Sequence, residues 1–243
     1  MPTAPRRPKG EPLIGRPPKI TRDDVLTAVL DIGFTDVTVP LVAERLDVTP
    51  ATIYRHVPDR ATMLALAWDR VVDDIPWPTV AGDWRAVLLA YAECLWEALA
   101  EHPGVVTALS SGLMPERTMD ILLALAAHLE RESFAMPDAM LVIDTVIDTV
   151  IDHRLGLERL DGHTPAPGVS RAEMASSWEP HDDEAAALQR ARAAMRDAVV
   201  TPPRQWLNRK LSLILDGGEK LRDTTERLPF DLTAPDGRSS ATQ

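Results

Sequence analysis

The chain has 243 residues and a net charge of −11 at pH 7, with 45% hydrophobic and 26% charged residues. This composition is typical of a folded globular protein and excludes a disordered or fibrous chain. No apolar stretch reaches the roughly 18 residues of a membrane span, and no apolar signal core is present, so we expect a cytoplasmic protein. The single cysteine, Cys94, excludes an intramolecular disulfide and a cysteine-based zinc site.

The charge is unevenly distributed along the chain. Residues 1–22 hold six Lys or Arg and one acid, so this segment carries +5 and the remainder carries −16. Six prolines lie within residues 1–20, which predicts an extended, disordered arm. We therefore expect a basic arm over residues 1–20 attached to an acidic body, an arrangement compatible with nucleic-acid binding despite the negative total.

From residue 21 onward the apolar residues recur with a helical period. Thr21 is a predicted N-cap of the first helix, and Gly33 marks the end of that helix. Thr38 is the predicted N-cap of a short second helix that runs through Leu46. These helices begin a domain that we expect to span residues 21–66.

Two further helices complete this region. Thr49 is a predicted N-cap with Pro50 at the first helical position, and the third helix must end before Pro58, which cannot continue it. Asp59 then begins a fourth helix that runs to about Ile75. Two short helices joined by a tight turn form a helix-turn-helix pattern.

The remainder of the chain also has helical periodicity. No convincing strand is predicted, so the fold class is all-α: an N-terminal three-helix helix-turn-helix domain, a larger C-terminal helical domain over residues 67–225 and a polar tail over residues 226–243. Residues 76–83 are a predicted linker, and residues 161–182 a long flexible loop. Further helices are predicted at about 84–101, 115–132, 138–160, 183–198 and 203–222.

The sequence VIDTVIDTVID at residues 142–152 repeats a four-residue unit. On a helix, the valines, the isoleucines and the aspartates each form a row, and the aspartate row consists of Asp144, Asp148 and Asp152. Three interpretations remain open for these carboxylates: the rim of a protein interface or a solvated face, the acidic wall of a pocket for a cationic ligand, or a metal site beside His153.

The helix-turn-helix pattern places the third helix in the DNA major groove, N-terminus first. Thr49, Thr52 and Arg55 are expected to determine sequence preference, and Ala51 to contact a thymine methyl group. Phosphate contacts would fix the register. A helical hairpin without DNA-binding function is the alternative. The predicted DNA-binding residues are Arg16, Thr38, Thr49, Pro50, Ala51, Thr52, Tyr54, Arg55, His56 and Arg60.

Residues 33–64, GFTDVTVPLVAERLDVTPATIYRHVPDRATML, resemble the DNA-binding domain of the tetracycline-repressor (TetR) family. The matching features are Gly33-Phe34, Thr38, Val42-Ala43, Val48-Thr49, residues 53–57 and the start of the fourth helix at Asp59 and Arg60. The chain departs from the family pattern at Asp47, where glycine is usual, and at Arg60, where lysine is common. Aspartate tolerates a left-handed backbone and arginine binds phosphate, so both features are expected to be retained.

The resemblance implies a homodimer whose larger domain binds a small molecule, with the last long helices of two chains forming a four-helix bundle. The C-terminal part resembles the tetracycline-repressor branch. We expect no cofactor. The predicted dimerisation residues are Val146, Ile147, Val150, Ile151, Leu207, Leu211, Ile214 and Gly218. The predicted ligand-binding residues are Trp84, Leu88, Tyr91, Leu95, His102, Met114, His128 and Met140, for which an ordinary core position is the alternative.

Tetracycline itself is not favoured as the ligand. Drug-binding relatives hold a metal through a histidine shortly after the position that resembles His102, and here residues 105–109, VVTAL, offer no metal ligand. Ile14 to Lys19 resemble the Gly-Arg-Pro core of a minor-groove hook centred on Arg16, with an unspecific basic tail as the alternative.

No histidine lies in a catalytic motif and no phosphate-binding glycine loop is present, so we predict a protein without enzymatic activity. The predicted function is a ligand-responsive transcriptional regulator, a repressor that binds a palindromic double-stranded DNA operator as a homodimer and is released by an unknown small-molecule effector. The alternative is an architectural or constitutive DNA-binding protein without an effector, which would bind many sequences with a steep salt dependence.

Overall fold

The computed structural model describes residues 20–113, 115–162 and 168–222, and within them it contains eleven α-helices and no strand, which confirms the all-α prediction. The expected arm and tail, with Arg16 and Met114, lie outside these residues. None of the described helices is long and apolar enough to cross a membrane. The helices are α1 (Arg22–Ile32), α2 (Val39–Arg45), α3 (Pro50–Ile53), α4 (Arg60–Asp74), α5 (Trp84–Glu101), α6 (Val105–Ser110), α7 (Glu116–Arg131), α8 (Met136–Leu160), α9 (Arg171–Ser177), α10 (Ala186–Val200) and α11 (Pro203–Arg222).

Side-chain caps set several helix starts where the sequence predicts them. Thr21 and Asp24 form a reciprocal capping box at α1. The Asp59 carboxylate accepts the backbone N–H of Thr62 at 2.7 Å at the start of α4, and Asp83 fills the same role at α5. These bonds satisfy donors that a helix N-terminus otherwise leaves unpaired.

Two short helices differ from the sequence prediction. The six-residue α6 follows Pro103-Gly104 and is too short to show a periodic pattern. The helix α9 lies inside residues 161–182, which were predicted as a continuous loop, and that prediction is wrong for residues 171–177. A capping box between Ser170 and Glu173 begins α9. This Ser-x-x-Glu signal was present in the sequence.

One continuous hydrophobic core runs through both halves of the described chain. The helix α4 belongs to both halves, since it packs against α1 on one side and against α6 and α7 on the other, and its Trp68 and Val72 lie among the C-terminal helices. The expected boundary between residues 66 and 67 therefore falls inside an unbroken helix. Movement of α4 must affect both halves together, because close-packed interiors transmit displacement.

The longest helices, α8 and α11, pack against each other in antiparallel directions. His153 Nε2 lies 2.9 Å from the carbonyl oxygen of Pro203 near one end, and Gly218 lies against Val142 and Trp84 at the other. A Cβ atom at Gly218 would approach both side chains to 3.2 Å, so the glycine permits the close contact of α11 with α5 and α8.

Candidate nucleic-acid interface and ligand cavity

The turn between α2 and α3 has the geometry of a helix-turn-helix. Asp47 takes a left-handed backbone conformation with φ of 52°, as expected for a residue in a glycine position. The backbone N–H of Val48 donates to the carbonyl of Ala43 at 2.9 Å and closes the turn. Val42 and Ile53 are fully buried, and α2 packs against both α1 and α3.

The opposite face of α3 is open to solvent. Thr49, Pro50, Ala51, Tyr54 and Arg55 are exposed, whereas Thr52 and His56 are partly exposed. The Thr49 and Thr52 hydroxyls lie 3.1 Å apart and share a hydrogen bond. Hydroxyl, methyl and guanidinium groups on one short helix offer the donors, acceptors and apolar contact that major-groove base edges recognise.

Residues flanking α3 fix its position within the domain. The Nε atom of Arg60 donates to the Val37 carbonyl at 3.0 Å, and the Thr38 hydroxyl accepts the Leu41 backbone N–H at 3.3 Å. The first bond ties the start of α4 to the segment before α2 and leaves the terminal guanidinium nitrogens of Arg60 available for phosphate.

A cavity of about 50 Å³ lies among the C-terminal half of α4 and helices α5 to α8. Predicted ligand residues Leu88, Tyr91 and Leu95 line this cavity. No charged side chain lines it. The other lining residues are Trp68, Val72, Trp77, Ala92, Leu109, Thr118, Ile121, Leu122, Leu125, Val146, Ile147 and Ile151.

Four predicted ligand residues do not line this cavity. Trp84 is fully buried and packs edge-on against Phe134, with ring centroids 4.9 Å apart. His128 is buried, and its Nε2 atom has no hydrogen-bond partner. Met140 packs against the core as a partly buried residue. The structure thus places Trp84 and Met140 in ordinary core positions, and His102 at the junction described next.

His102 ends α5 at the junction of the two halves. Its ring packs edge-on against Phe34 and Trp68, with centroids 6.0 and 6.3 Å away, and these two rings also contact each other. Burial lowers the pKa of His102, an effect that the nearby Glu101 opposes. Because Trp68 also lines the cavity, the three rings connect the cavity wall to the loop before α2.

The segment after His102 contacts the N-terminal half directly. Gly104 has φ of 90°, and a Cβ atom there would lie 2.5 Å from the backbone nitrogen of Thr35. The Thr35 hydroxyl donates to the Pro103 carbonyl at 3.2 Å. The buried Glu158 carboxylate accepts the Gly104 N–H at 3.0 Å. An open groove of about 650 Å³ lies beside this contact, between α6 and the start of α4.

A second space of about 230 Å³, hereafter the vestibule, adjoins the cavity and shares Val72, Trp77, Tyr91 and Ile121 with it. Arg117 of α7 lies beside it and pairs with Asp73 of α4 at 2.6 Å. These charges give the vestibule a polar margin, whereas the cavity behind it is apolar.

The predicted dimerisation residues lie mainly inside the protomer. Side chains that the chain's own helices cover cannot form a contact surface for a second copy. Ile147 and Ile151 line the cavity, and Ile214 is partly buried against the core. The buried members of the predicted set are Val146, Val150, Leu207, Leu211 and Gly218. The exposed large apolar residues of α8 and α11 are instead Met136 at the start of α8, Leu141, and Leu213, which is 76% exposed.

The aspartate row of α8 lies on the exposed side of the helix. Asp144, Asp148 and Asp152 are exposed and do not line the cavity, so the acidic-wall interpretation does not fit this cavity. Partial burial raises the pKa of Asp148, and the charges of the other two aspartates add to this effect. Among the described residues, no group of three or more His, Cys, Asp or Glu side chains is arranged to hold a metal.

Sequence reasoning missed most of the cavity wall. Trp68 and Val72 lie on α4, in the part of the chain assigned to the C-terminal domain, but they were not among the predicted ligand-binding residues. Trp77 lies in the segment predicted only as a linker, where a tryptophan between two prolines is itself a signal of burial. Ile147 and Ile151 were identified as an apolar row, but the sequence does not state which surface covers such a row.

Comparison with known proteins is consistent with this architecture. No family model matches the chain. A curated relative described as an HTH-type transcriptional regulator, from Saccharopolyspora erythraea, is 28% identical over 91 residues. That match covers 35% of this chain and 39% of the relative's length.

Similar solved structures cover more of the chain. The TetR family protein ActR of Streptomyces coelicolor, in complex with actinorhodin, has a TM-score of 0.71 at 16% identity, over 84% of this chain and 99% of that one. A TetR variant of Acinetobacter baumannii AYE, in complex with minocycline, has a TM-score of 0.67 at 18% identity, over 88% and 100%. The resemblance predicted from the helix-turn-helix motif is confirmed at the level of the fold.

Proposed function

We propose that this chain, whose fold is that of the TetR-family regulators, is a transcriptional regulator acting in the cytoplasm. It binds a palindromic operator as a homodimer, represses transcription from it and is released when a small molecule fills the cavity. The observation that carries the proposal is that one helix, α4, serves two sites. Its first residue, Arg60, anchors the helix-turn-helix, and Trp68 and Val72 form part of the cavity wall.

The exposed face of α3 supports DNA recognition. Thr49, Thr52 and Arg55 present polar groups at its surface, and these are the candidates for base contacts. Tyr54 at the end of α3 and Arg60 at the start of α4 are exposed and are the candidates for phosphate contacts, which fix register without reading sequence. Changes to the base-contact residues should therefore alter sequence specificity, and changes to the phosphate-contact residues should alter affinity for all sequences.

The position of α4 supports release by a ligand. A molecule that enlarges the cavity must displace at least one wall, and α4 is the wall that continues into the DNA-binding half. A ligand shifts the conformational equilibrium only to the extent that it binds one state better than the other. The small volume of the cavity favours this condition, since the closed state has no room for a ligand of ordinary size.

The exposed sides of α8 and α11 support dimerisation. Leu141 and Leu213 are large apolar residues without cover from the protomer. Two chains that pair through these helices would form a four-helix bundle with an isologous contact, in which the same surface serves both partners. Two recognition helices related by this symmetry would bind an inverted repeat with half-site centres about 34–36 Å apart, or a multiple of this distance.

The proposal is tested by selecting bound fragments from the protein's own genome and measuring their affinities. We expect one inverted repeat to be enriched. Substitution of Thr49, Thr52 or Arg55 should change the selected sequence, whereas Arg60→Ala should weaken binding to all sequences alike. Arg131→Ala, which removes an exposed positive charge at the far end of α7, is the matched control and should change neither property.

The selection also distinguishes the alternative function. Enrichment of unrelated sequences with a steep salt dependence would identify an architectural DNA-binding protein. A change of specificity without loss of affinity in Arg60→Ala would contradict the role assigned to that residue.

A further inference from the structure

The cavity wall restricts the charge of any occupant. Besides the indole rings, its polar side chains are those of Tyr91 and Thr118, and the Tyr91 hydroxyl already donates to the Pro78 carbonyl at 3.0 Å. An ionised group inside would find no counter-charge, and burying an unpaired charge is strongly unfavourable. The part of an occupant that lies in the cavity must therefore be uncharged, and in the adjoining vestibule Arg117 and Asp73 already pair with each other.

Aromatic side chains restrict its shape. The Trp77 indole stacks on the Tyr91 phenol ring with centroids 5.2 Å apart and an interplanar angle of 15°. Trp77 lines both the cavity and the vestibule, so its ring stands where the two spaces adjoin. A flat face of Tyr91 is thus already covered by a planar aromatic group that belongs to the chain itself.

Trp77 is attached to a part of the chain that belongs to no helix. It lies outside the helices, in the segment that joins α4 to α5, and its indole N–H donates to the Val72 carbonyl at 2.9 Å. Displacing the side chain breaks one such bond and one ring contact and leaves every helix intact. The vestibule of about 230 Å³ then becomes continuous with the cavity, which reaches only about 50 Å³ while the indole is in place. Typical small-molecule sites measure roughly 300–1,000 Å³.

We propose that the effector is an uncharged, planar aromatic molecule that displaces Trp77 and stacks on Tyr91 in its place. This inference rests on the proposed function, because it assigns a chemical class to the effector of that regulator. The Trp77 indole then acts as an internal plug that the ligand replaces. A ligand must stack on Tyr91 at least as well as the Trp77 indole that it replaces, and this requires a ring system of similar size. Small aliphatic molecules are therefore excluded as effectors.

Displacement of the plug also acts on α4. The indole N–H bond ends on Val72, in the last turns of that helix. On the other side of the vestibule, Arg117 binds Asp73 through its side chain and donates its backbone N–H to the Asp69 carboxylate at 3.0 Å. A ligand that enters between these contacts separates the end of α4 from α7 and from the joining segment.

The test uses the full chain without DNA and three probes. N-phenyl-1-naphthylamine is uncharged and aromatic, 8-anilino-1-naphthalenesulfonate carries a similar ring system with a negative charge, and 1-adamantanol is uncharged and compact but not planar. Fluorescence titration gives the affinity of the first two, and displacement of the first by the third gives that of adamantanol. We expect one neutral aromatic probe bound per chain, with the sulfonate and adamantanol at least about tenfold weaker.

Trp77→Ala removes the plug and should tighten binding of the neutral aromatic probe by at least about tenfold. Leu123→Ala, which truncates an exposed apolar residue on α7, is the control and should leave the affinity within about twofold. Trp77→Phe retains a smaller ring and should give an intermediate affinity. Circular dichroism verifies that each variant is folded, and Trp77→Phe carries the test if the alanine variant is not.

Several results would overturn the inference. Equal probe affinity in wild type and both Trp77 variants would show that the indole is not a plug. Equal affinity for the sulfonate or adamantanol would reject the proposed chemical class, and so would failure of every variant to bind the neutral probe. Because DNA is absent from these titrations, such failures leave the genomic selection, and thus the regulator proposal, to be judged separately.

Discussion

His102 is the residue at which the cavity wall and the N-terminal half meet through aromatic contacts. The neutral imidazole suits this position, because burial between Phe34 and Trp68 disfavours the charged ring and lowers the pKa of His102. In the unfolded chain the imidazole titrates near pH 6.5. As the pH falls through this value, the unfolded state takes up a proton before the folded state does, so stability decreases toward acidic pH.

His102→Phe keeps an aromatic ring in place and removes the titration. We expect the free energy of unfolding of the wild type to fall more than that of the variant between about pH 7.5 and 5.5, measured by denaturant titration. His153, whose pKa burial also lowers, contributes a similar dependence in both proteins and cancels in the comparison. Parallel pH profiles for the two proteins would show that His102 does not titrate against burial.

At the scale of elements, helix limits could be predicted from the sequence wherever a capping residue, a proline or a glycine sets the boundary. The predicted limits of α5 agree with the structure because Asp83 caps its start and the sequence His102-Pro103-Gly104 ends it. The helix α6 was missed because six residues carry too little periodicity.

The candidate sites were predicted unequally for a similar reason. The exposed face of α3 could be predicted because its residues are adjacent in one short sequence motif. The cavity wall is assembled from five helices and one joining segment, and an apolar row such as that of Ile147 and Ile151 appears the same in sequence whether it covers a cavity or a partner chain.

The contact between α6 and the N-terminal half makes a prediction for Gly104. Gly104→Ala combines a left-handed backbone, which costs an alanine about 1–2 kcal/mol, with a collision of its Cβ atom with the Thr35 backbone. Gly112→Ala has a similar φ of 89° but no atom within 4 Å of the added Cβ, so it isolates the backbone cost.

We expect Gly104→Ala to lower the free energy of unfolding by about 1–3 kcal/mol more than Gly112→Ala, because overpacking adds to strain. Gly104→Ala should also weaken operator binding, because its Cβ atom would push away Thr35, which lies in the loop directly before α2. Thermal or denaturant unfolding together with operator titration measures both effects. Equal destabilisation by the two variants would mean that the Thr35 contact is not tight in solution.

At the scale of the whole molecule, the exposed sides of α8 and α11 are the candidate dimer surface. Leu213→Asp should convert a dimer to monomers, because it places a charge in an apolar contact, while the monomer loses little stability at a position that is 76% exposed. Sedimentation velocity measures the change, and operator affinity should fall with it. Leu123→Asp, at 58% exposure on α7, is the control that should remain dimeric. A dimeric Leu213→Asp protein would place the interface elsewhere.

The unbroken course of α4 has a consequence for exchanging parts between regulators. A hybrid joined between residues 66 and 67 would take half of α4 from each parent protein. Leu64 and Trp68, one helical turn apart, would then come from different parents and would no longer share the core in which they pack now. Such a junction loses the native side-chain packing inside the helix that joins the cavity wall to the N-terminal half. Hybrids that carry residues 60–74 from one parent, together with the Phe34 and His102 ring partners, retain that connection, so the choice of junction decides whether a graft responds to its new signal.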